Sequence, residues 1–150
     1  MPANRAGRVG TLSETMRRMG EGEMGVSGEY ARPELLAEPD WLWEHRDDPN
    51  LRIIDCGDPV GYGRAHILGA VRLVRDEDTV EVGSPQWLKD PNDRLHVLGG
   101  EGITILAERL GISDARTVVT CDDYNGSFAT RLWWILTYYG HSDVKVLNGG

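Results

Sequence analysis

Short apolar segments alternate with helical patterns along this chain, and this alternation limits its fold more than any other feature. Residues 51–55, 70–73, 117–120 and 144–147 are brief, largely aliphatic runs that predict strands. Parallel neighbours need crossover connections, which lay helices on the sheet. The pattern therefore predicts an α/β domain with an open parallel sheet and helices on both faces.

Two of the predicted helices have signals for where they begin or end. Residues 39–45 predict a short helix, and we expect the Asp40 carboxylate to cap free backbone amides at the start of that helix. The apolar spacing over 103–110 predicts a second helix. Gly111 stands directly after it, where a left-handed residue commonly ends a helix.

The longest helical pattern follows Gly126. Apolar residues recur there at three- and four-residue spacing as far as Gly140, which predicts a largely buried helix. Trp133 and Trp134 are adjacent within it and therefore lie about 100° apart around the helix axis. We expect one of them to pack inward and the other to face outward.

The two ends of the chain differ from its middle. Residues 1–30 are rich in glycine, contain all four methionines and have few large apolar side chains, so we expect a disordered tail. The last strand, 144–147, is followed by three residues only. We therefore expect a domain over 31–150 that is cut short and lacks its last helix.

Composition excludes several classes of function. The net charge of -8 would repel a phosphate backbone, so nucleic acid is not an expected partner. No apolar run is long enough to span a membrane. Two cysteines are too few for a disulfide framework and lack zinc-site spacing, so we expect a cytoplasmic protein. We expect no metal or organic cofactor.

The loop over 121–129 is the candidate site. It joins a strand to the longest helix, and such a loop can direct several backbone amides toward one point. The positive end of the helix dipole adds to the attraction for an anion. A cysteine held in that cradle would have a depressed pKa and would be a nucleophile.

Three stretches resemble one known family in order and spacing. They are RIIDCGDPVGYGRAHILGAVRL, ERLGISDARTVVTCDDYNGSFATRLWWILTYYGH and DVKVLNGG. Residues 31–150 resemble the first domain of tandem rhodaneses, the thiosulfate or 3-mercaptopyruvate sulfurtransferases. The resemblance implies a rhodanese-like sheet of about five strands and transfer of a sulfane sulfur to an acceptor such as cyanide.

The resemblance also implies roles for residues of the loop. Asp122 takes the place of the persulfide-forming cysteine, which favours the non-catalytic amino-terminal half of a tandem protein. Asp122, Asp123, Gly126 and Arg131 become candidates for binding a small sulfur-containing anion. The implied partner is a second rhodanese domain that carries the catalytic cysteine.

Two other interpretations stay open. The chain could be a stand-alone sulfurtransferase with Cys121 as persulfide carrier, although a residue that finishes a strand should point into the sheet packing. It could also be a non-catalytic module that binds an oxyanion or a protein. We further hypothesise that Cys56 and Cys121, at the ends of adjacent strands, form a redox-sensitive pair.

Overall fold

A five-stranded parallel sheet forms the centre of the described structure. The computed structural model describes residues 30–73, 88 and 97–150, so nearly all of the predicted tail over 1–30 lies outside the described residues. The strands are β1 (Leu36–Ala37), β2 (Leu51–Asp55), β3 (Val71–Arg72), β4 (Thr117–Cys121) and β5 (Val144–Leu147). Their spatial order is β1-β5-β4-β2-β3, and all neighbours are parallel.

Helices cover both faces of the sheet. Those of the described residues are α1 (Pro39–His45), α2 (Pro59–Arg64), α3 (Gly100–Leu110) and α4 (Ser127–Tyr138), with a 3-10 turn at Pro33–Leu35. Apolar residues of α3 and α4 form one core cluster with Ile54 and Val118. Leu42 of α1 belongs to a second cluster with Ile53 and Val119. Since neighbouring strand residues point to opposite faces, the two clusters lie on the two sides of the sheet, which confirms the predicted architecture.

The predicted glycine cap at the carboxyl end of α3 and the predicted inward and outward directions of the two tryptophans on α4 are confirmed. Gly111 has φ 67° and caps α3 in the left-handed conformation. Trp133 is half-buried and its Nε1 donates to the carbonyl of Val144 at 3.2 Å. Trp134, one position later, is 48% exposed.

Two features near the amino-terminal helices differ from the prediction. Asp40 does not cap α1, because Glu38 holds the N-cap position and no side chain makes a capping bond there. Helix α2 was not predicted at all. Its Asp58 side chain accepts from the amides of Val60 and Gly61, so an Asp-Pro pair starts this helix in the connection between β2 and β3.

The sheet register determines which loops meet. Strands β2 and β4 are neighbours near the middle of the sheet, with Asp55 opposite Cys121. Their carboxyl ends therefore lie side by side, and the residues that follow them share one edge of the sheet. In open α/β sheets this edge is where ligands bind.

The helices of the described residues are too short or too polar to cross a membrane.

Candidate functional site

The Asp122 carboxylate is held by four backbone amides. Its Oδ1 accepts from the N–H groups of Tyr124 and Gly126, both at 2.8 Å. Its Oδ2 accepts from those of Phe128 and Ala129, both at 2.7 Å. The residue is only 6% exposed. These four N–H groups, called the amide cradle below, surround a buried carboxylate whose charge they stabilise.

Backbone conformation in the loop creates the cradle. Asn125 and Gly126 have φ values of 55° and 77°, and these left-handed residues turn the chain back on itself before α4 begins. The N–H groups of Phe128 and Ala129 belong to the first turn of α4 and have no partner within the helix. Gly126 is the N-cap and has no side chain to offer them. Asp122 therefore caps α4 from the other side of the loop.

A pocket of about 300 Å³ opens beside the cradle at the carboxyl edge of the sheet. Its wall contains three carboxylates, an imidazole, a phenol and a thiol. They belong to Asp55, Asp122, Asp123, His66, Tyr62 and Cys121, and the remaining lining residues are Gly57, Gly61, Ala65, Ile67 and Gly150. The three acidic side chains disfavour the binding of a small anion in this pocket.

Burial and neighbouring charge in this pocket shift the pKa of Asp55. Burial raises the pKa of this carboxyl, the N–H of Gly57 at 2.8 Å lowers it, and the charge of Asp123 raises it again. The net direction is upward. Loss of water around Asp55 thus outweighs the hydrogen bond that stabilises its charged form.

Helix α2 and the turn after it close the other side of the pocket. The Tyr62 hydroxyl donates to the carbonyl of Ala70 at 2.8 Å. The Tyr62 carbonyl accepts from Nδ1 of His66 at 2.8 Å, and the two rings stack 4.0 Å apart. Since a carbonyl can only accept, Nδ1 carries the proton. This bond gives His66 a structural role in the turn.

Two glycines make room for Asp123. A Cβ on Gly57 would stand 2.8 Å from Oδ1 of Asp123, and one on Gly61 would stand 2.9 Å from its Oδ2. Real Cβ atoms do not approach an oxygen so closely, so any side chain at either position would displace the Asp123 carboxylate. Gly57, which follows β2, and Gly61 of α2 therefore leave the space that the Asp123 carboxylate occupies.

Neither cysteine is in a reactive environment. Cys121 is 5% exposed, and burial, together with the charges of Asp55 and Asp122, raises its pKa to about 12. Burial likewise raises the pKa of Cys56 well above its ordinary value. At neutral pH both side chains are protonated thiols, and the thiol is a much poorer nucleophile than the thiolate.

The geometry opposes the hypothesis that the two cysteines form a redox pair. Both are free, and both thiols lie near the same acceptor, the carbonyl of Ile54, at 3.9 Å for Cys56 and 3.6 Å for Cys121. Cys56 nevertheless packs in the core cluster under α3 and α4, whereas Cys121 packs in the cluster under α1. Side chains on opposite faces of a sheet cannot be bridged without moving the backbone.

The predicted site residues separate into two groups. Asp122, Asp123 and Cys121 line the pocket, whereas Gly126 and Arg131 do not. Gly126 contributes its amide to the cradle. The Nε of Arg131 is buried without a hydrogen-bond partner among the described residues.

Sequence reasoning did not select Asp55, Gly57 or Gly61 as site residues. The available signal was an acidic residue at the end of β2, followed by glycines. Pairing between β2 and β4 converts that signal into a place in the pocket.

Alkaline destabilisation tests the burial of Cys121. The thiol of an unfolded chain loses its proton near pH 8.5, whereas the folded pKa is about 12, so between these values only the unfolded chain is deprotonated. We expect the free energy of unfolding to fall with rising pH by about 1.4 kcal/mol per pH unit for this thiol. Urea titrations of the wild type and Cys121→Ala between about pH 8 and 11 measure it. Equal pH slopes for the two proteins would contradict the assignment.

Comparisons with known proteins agree with the fold. A model of the rhodanese-like domain matches residues 38–150. The crystal structure of the 3-mercaptopyruvate sulfotransferase SseA from Escherichia coli superposes with a TM-score of 0.60 at 26% identity, covering 77% of this chain and 45% of that one. The chain belongs to the rhodanese-like family.

Curated relatives are similar over most of this chain. The sulfur carrier protein TtuD of Thermus thermophilus is 37% identical over 81% of the chain. A thiosulfate sulfurtransferase of Corynebacterium glutamicum is 34% identical, and the putative thiosulfate sulfurtransferase SseA of Mycobacterium tuberculosis is 37% identical, over the same share. The matches cover only 39%, 38% and 38% of these relatives, so the chain spans well under half of their length.

Proposed function

We propose that this domain is the non-catalytic half of a two-domain sulfurtransferase of the thiosulfate or 3-mercaptopyruvate type. The observation that carries the proposal is the Asp122 carboxylate in the amide cradle. A second rhodanese domain supplies the reactive cysteine. This domain then has a structural role in the assembled protein, to which it contributes the acidic pocket at the carboxyl edge of its sheet.

The chemistry of sulfur transfer explains why this carboxylate matters. A cysteine thiolate attacks the outer sulfur of thiosulfate, a sulfur–sulfur bond forms, and sulfite leaves with the electron pair of the bond that breaks. Backbone amides around the cysteine stabilise the thiolate and the bound persulfide. A carboxylate oxygen cannot hold the sulfane sulfur, and here it already occupies all four amides.

Cys121 does not replace the missing nucleophile in this proposal. Its thiol lines the pocket, but its pKa of about 12 leaves a negligible thiolate fraction at neutral pH. The carboxylates of Asp55, Asp122 and Asp123 also repel a dianion such as thiosulfate from the same pocket. Burial and charge together oppose the stand-alone enzyme.

The relatives support the same assignment. They are named as thiosulfate sulfurtransferases and a sulfur carrier, and each is more than twice as long as the segment that matches. A cytoplasmic location is part of the proposal, because both cysteines are free thiols.

A thiocyanate assay tests the proposal. The purified chain and its Cys121→Ala variant are incubated with thiosulfate and cyanide, and thiocyanate is measured against a blank without protein. We expect both proteins to equal the blank, with a complete tandem sulfurtransferase as the positive control. Thiocyanate formation that Cys121→Ala abolishes would instead establish the stand-alone enzyme.

A further inference from the structure

The segment that joins β2 to β3 lies on the core without entering it. None of residues 57–69 is buried, whereas Cys56 before the segment and Ala70 after it are buried. Helix α2 belongs to this segment and has no buried residue, and Leu68 is 85% exposed. A segment with so little buried apolar surface opens at a lower free energy than the strands beside it.

The backbone of this segment bonds mainly to itself. The N–H groups of Tyr62 and Ala65 donate to the carbonyls of Asp58 and Gly61, both at 3.0 Å. The Asp58 carboxylate accepts from the N–H groups of Val60 and Gly61 at 2.7 Å and 2.9 Å. These bonds persist when the segment moves as a unit, so its motion does not expose unsatisfied amides.

The contacts between this segment and the rest of the domain are mostly polar. The Tyr62 hydroxyl donates to the carbonyl of Ala70 at 2.8 Å. The charge of Asp58 raises the pKa of the neighbouring Tyr124 hydroxyl. Ile67 is half-buried and packs against the core cluster under α1. None of these contacts is part of the strand pairing, so all of them can break while the sheet stays intact.

The segment forms one wall of the acidic pocket. Its lining residues are Gly57, Gly61, Tyr62, Ala65, His66 and Ile67. The other wall includes the Cys121 thiol, which is buried and packs in the same cluster as Ile67. Displacement of the segment therefore uncovers Cys121.

We propose that residues 57–69, called the lid below, swing away from the pocket while the sheet stays folded, and that this local opening exposes the Cys121 thiol to solvent. Gly57 and Gly69 stand at the two ends of the lid as hinges, and Gly69 has φ 84°. The pocket carboxylates oppose anions, so the open lid admits neutral small molecules. The inference goes beyond the proposed function, because it concerns access to the pocket and not the chemistry of sulfur.

Labelling of the native chain with N-ethylmaleimide at about pH 8 tests the lid. The reagent is uncharged, and peptide mass spectrometry gives separate rates for the two cysteines. Cys56 packs under α3 and α4 on the other face of the sheet and reports global unfolding. We expect Cys121 to react at least about tenfold faster than Cys56. Equal rates for the two thiols would overturn the lid.

The urea dependence of the same rates provides a second measurement on the wild type. Lid opening exposes little surface, so the Cys121 rate should be nearly independent of urea below the unfolding transition. The Cys56 rate should rise steeply over the same range. Rates that rise equally with urea would mean that Cys121 is exposed only by global unfolding, and the lid would be wrong.

Two conservative variants separate lid opening from global unfolding. Tyr62→Phe removes the hydroxyl that donates to Ala70, and we expect the Cys121 rate to rise about 2- to 10-fold. Ile135→Val trims a buried side chain of α4 on the other face of the sheet, and we expect it to raise the Cys56 rate about 2- to 10-fold and leave the Cys121 rate unchanged. A Cys121 rate that is insensitive to Tyr62→Phe, or that rises in Ile135→Val as much as the Cys56 rate does, would overturn the proposal.

Discussion

Replacing Asp122 by alanine is expected to lower the free energy of unfolding by about 3–5 kcal/mol. The variant leaves four N–H groups without their acceptor, two of them in the first turn of α4. Each unsatisfied buried donor costs about 1–3 kcal/mol, and water entering the vacated space recovers part of that cost. Urea denaturation at neutral pH measures the loss.

Asp123→Ala is the matched control for this prediction. Asp123 is the next residue, carries the same charge and is exposed, but it accepts none of the cradle's N–H groups. We expect its stability to stay within about 0.5 kcal/mol of the wild type. A similar loss for the two variants would mean that general acidity, and not the cradle, stabilises the loop.

A cysteine placed at position 122 is expected to titrate in the opposite direction from Cys121. In Asp122→Cys, with Cys56 and Cys121 replaced by alanine, the sulfur would stand among the amides that now hold the carboxylate. Such surroundings lower thiol pKa values to about 3.5–7.5. The ordinary value is about 8.5, and that of Cys121 is about 12. Ultraviolet absorbance of the thiolate against pH measures the pKa.

Asp123→Cys in the same background provides the comparison. Its sulfur would lie beside the same acidic pocket but outside the cradle, so its pKa should stay at or above the ordinary value. The expected difference between the two variants is more than one unit, or more than tenfold in thiolate fraction at neutral pH. A thiol at 122 that titrates no lower than the thiol at 123 would show that the amides do not stabilise an anion.

Strong local signals made much of the fold predictable. Strands β2 and β5 have the predicted bounds because their aliphatic runs are flanked by polar residues. Gly111 ends α3 because only a residue without Cβ adopts its left-handed conformation at low cost. Local pattern and tertiary structure agree at these positions.

Helix α2 escaped prediction because its glycines give it a low helix propensity, which a capping side chain and one hydrogen bond to the next turn offset. It contains Gly61 and Gly63, each of which weakens a helix by about 1 kcal/mol. The Asp58 cap and the bond from Tyr62 to Ala70 offset that cost. Asp58 followed by Pro59 was the one local signal available.

The site was predictable as a place but not as a geometry. The loop after β4 and Asp122 could be selected from the sequence, whereas the four amides converge because Asn125 and Gly126 adopt left-handed conformations. The Asn125-Gly126 pair is a local signal for positive φ, but it does not specify which amides converge. The hypothesis about Cys56 and Cys121 rested on neighbouring strand ends, and these do not ensure that the two side chains share a face of the sheet.

Intact-mass measurement after incubation with thiosulfate tests most directly whether this domain carries sulfur. The protein is desalted, its mass is compared with that of the untreated chain, and the sample is then treated with cyanide. We expect an unchanged mass, because a carboxylate occupies the cradle and both thiols are buried and protonated. A gain of one sulfur atom that maps to Cys121 and is removed by cyanide would contradict the claim that this domain does not carry sulfur.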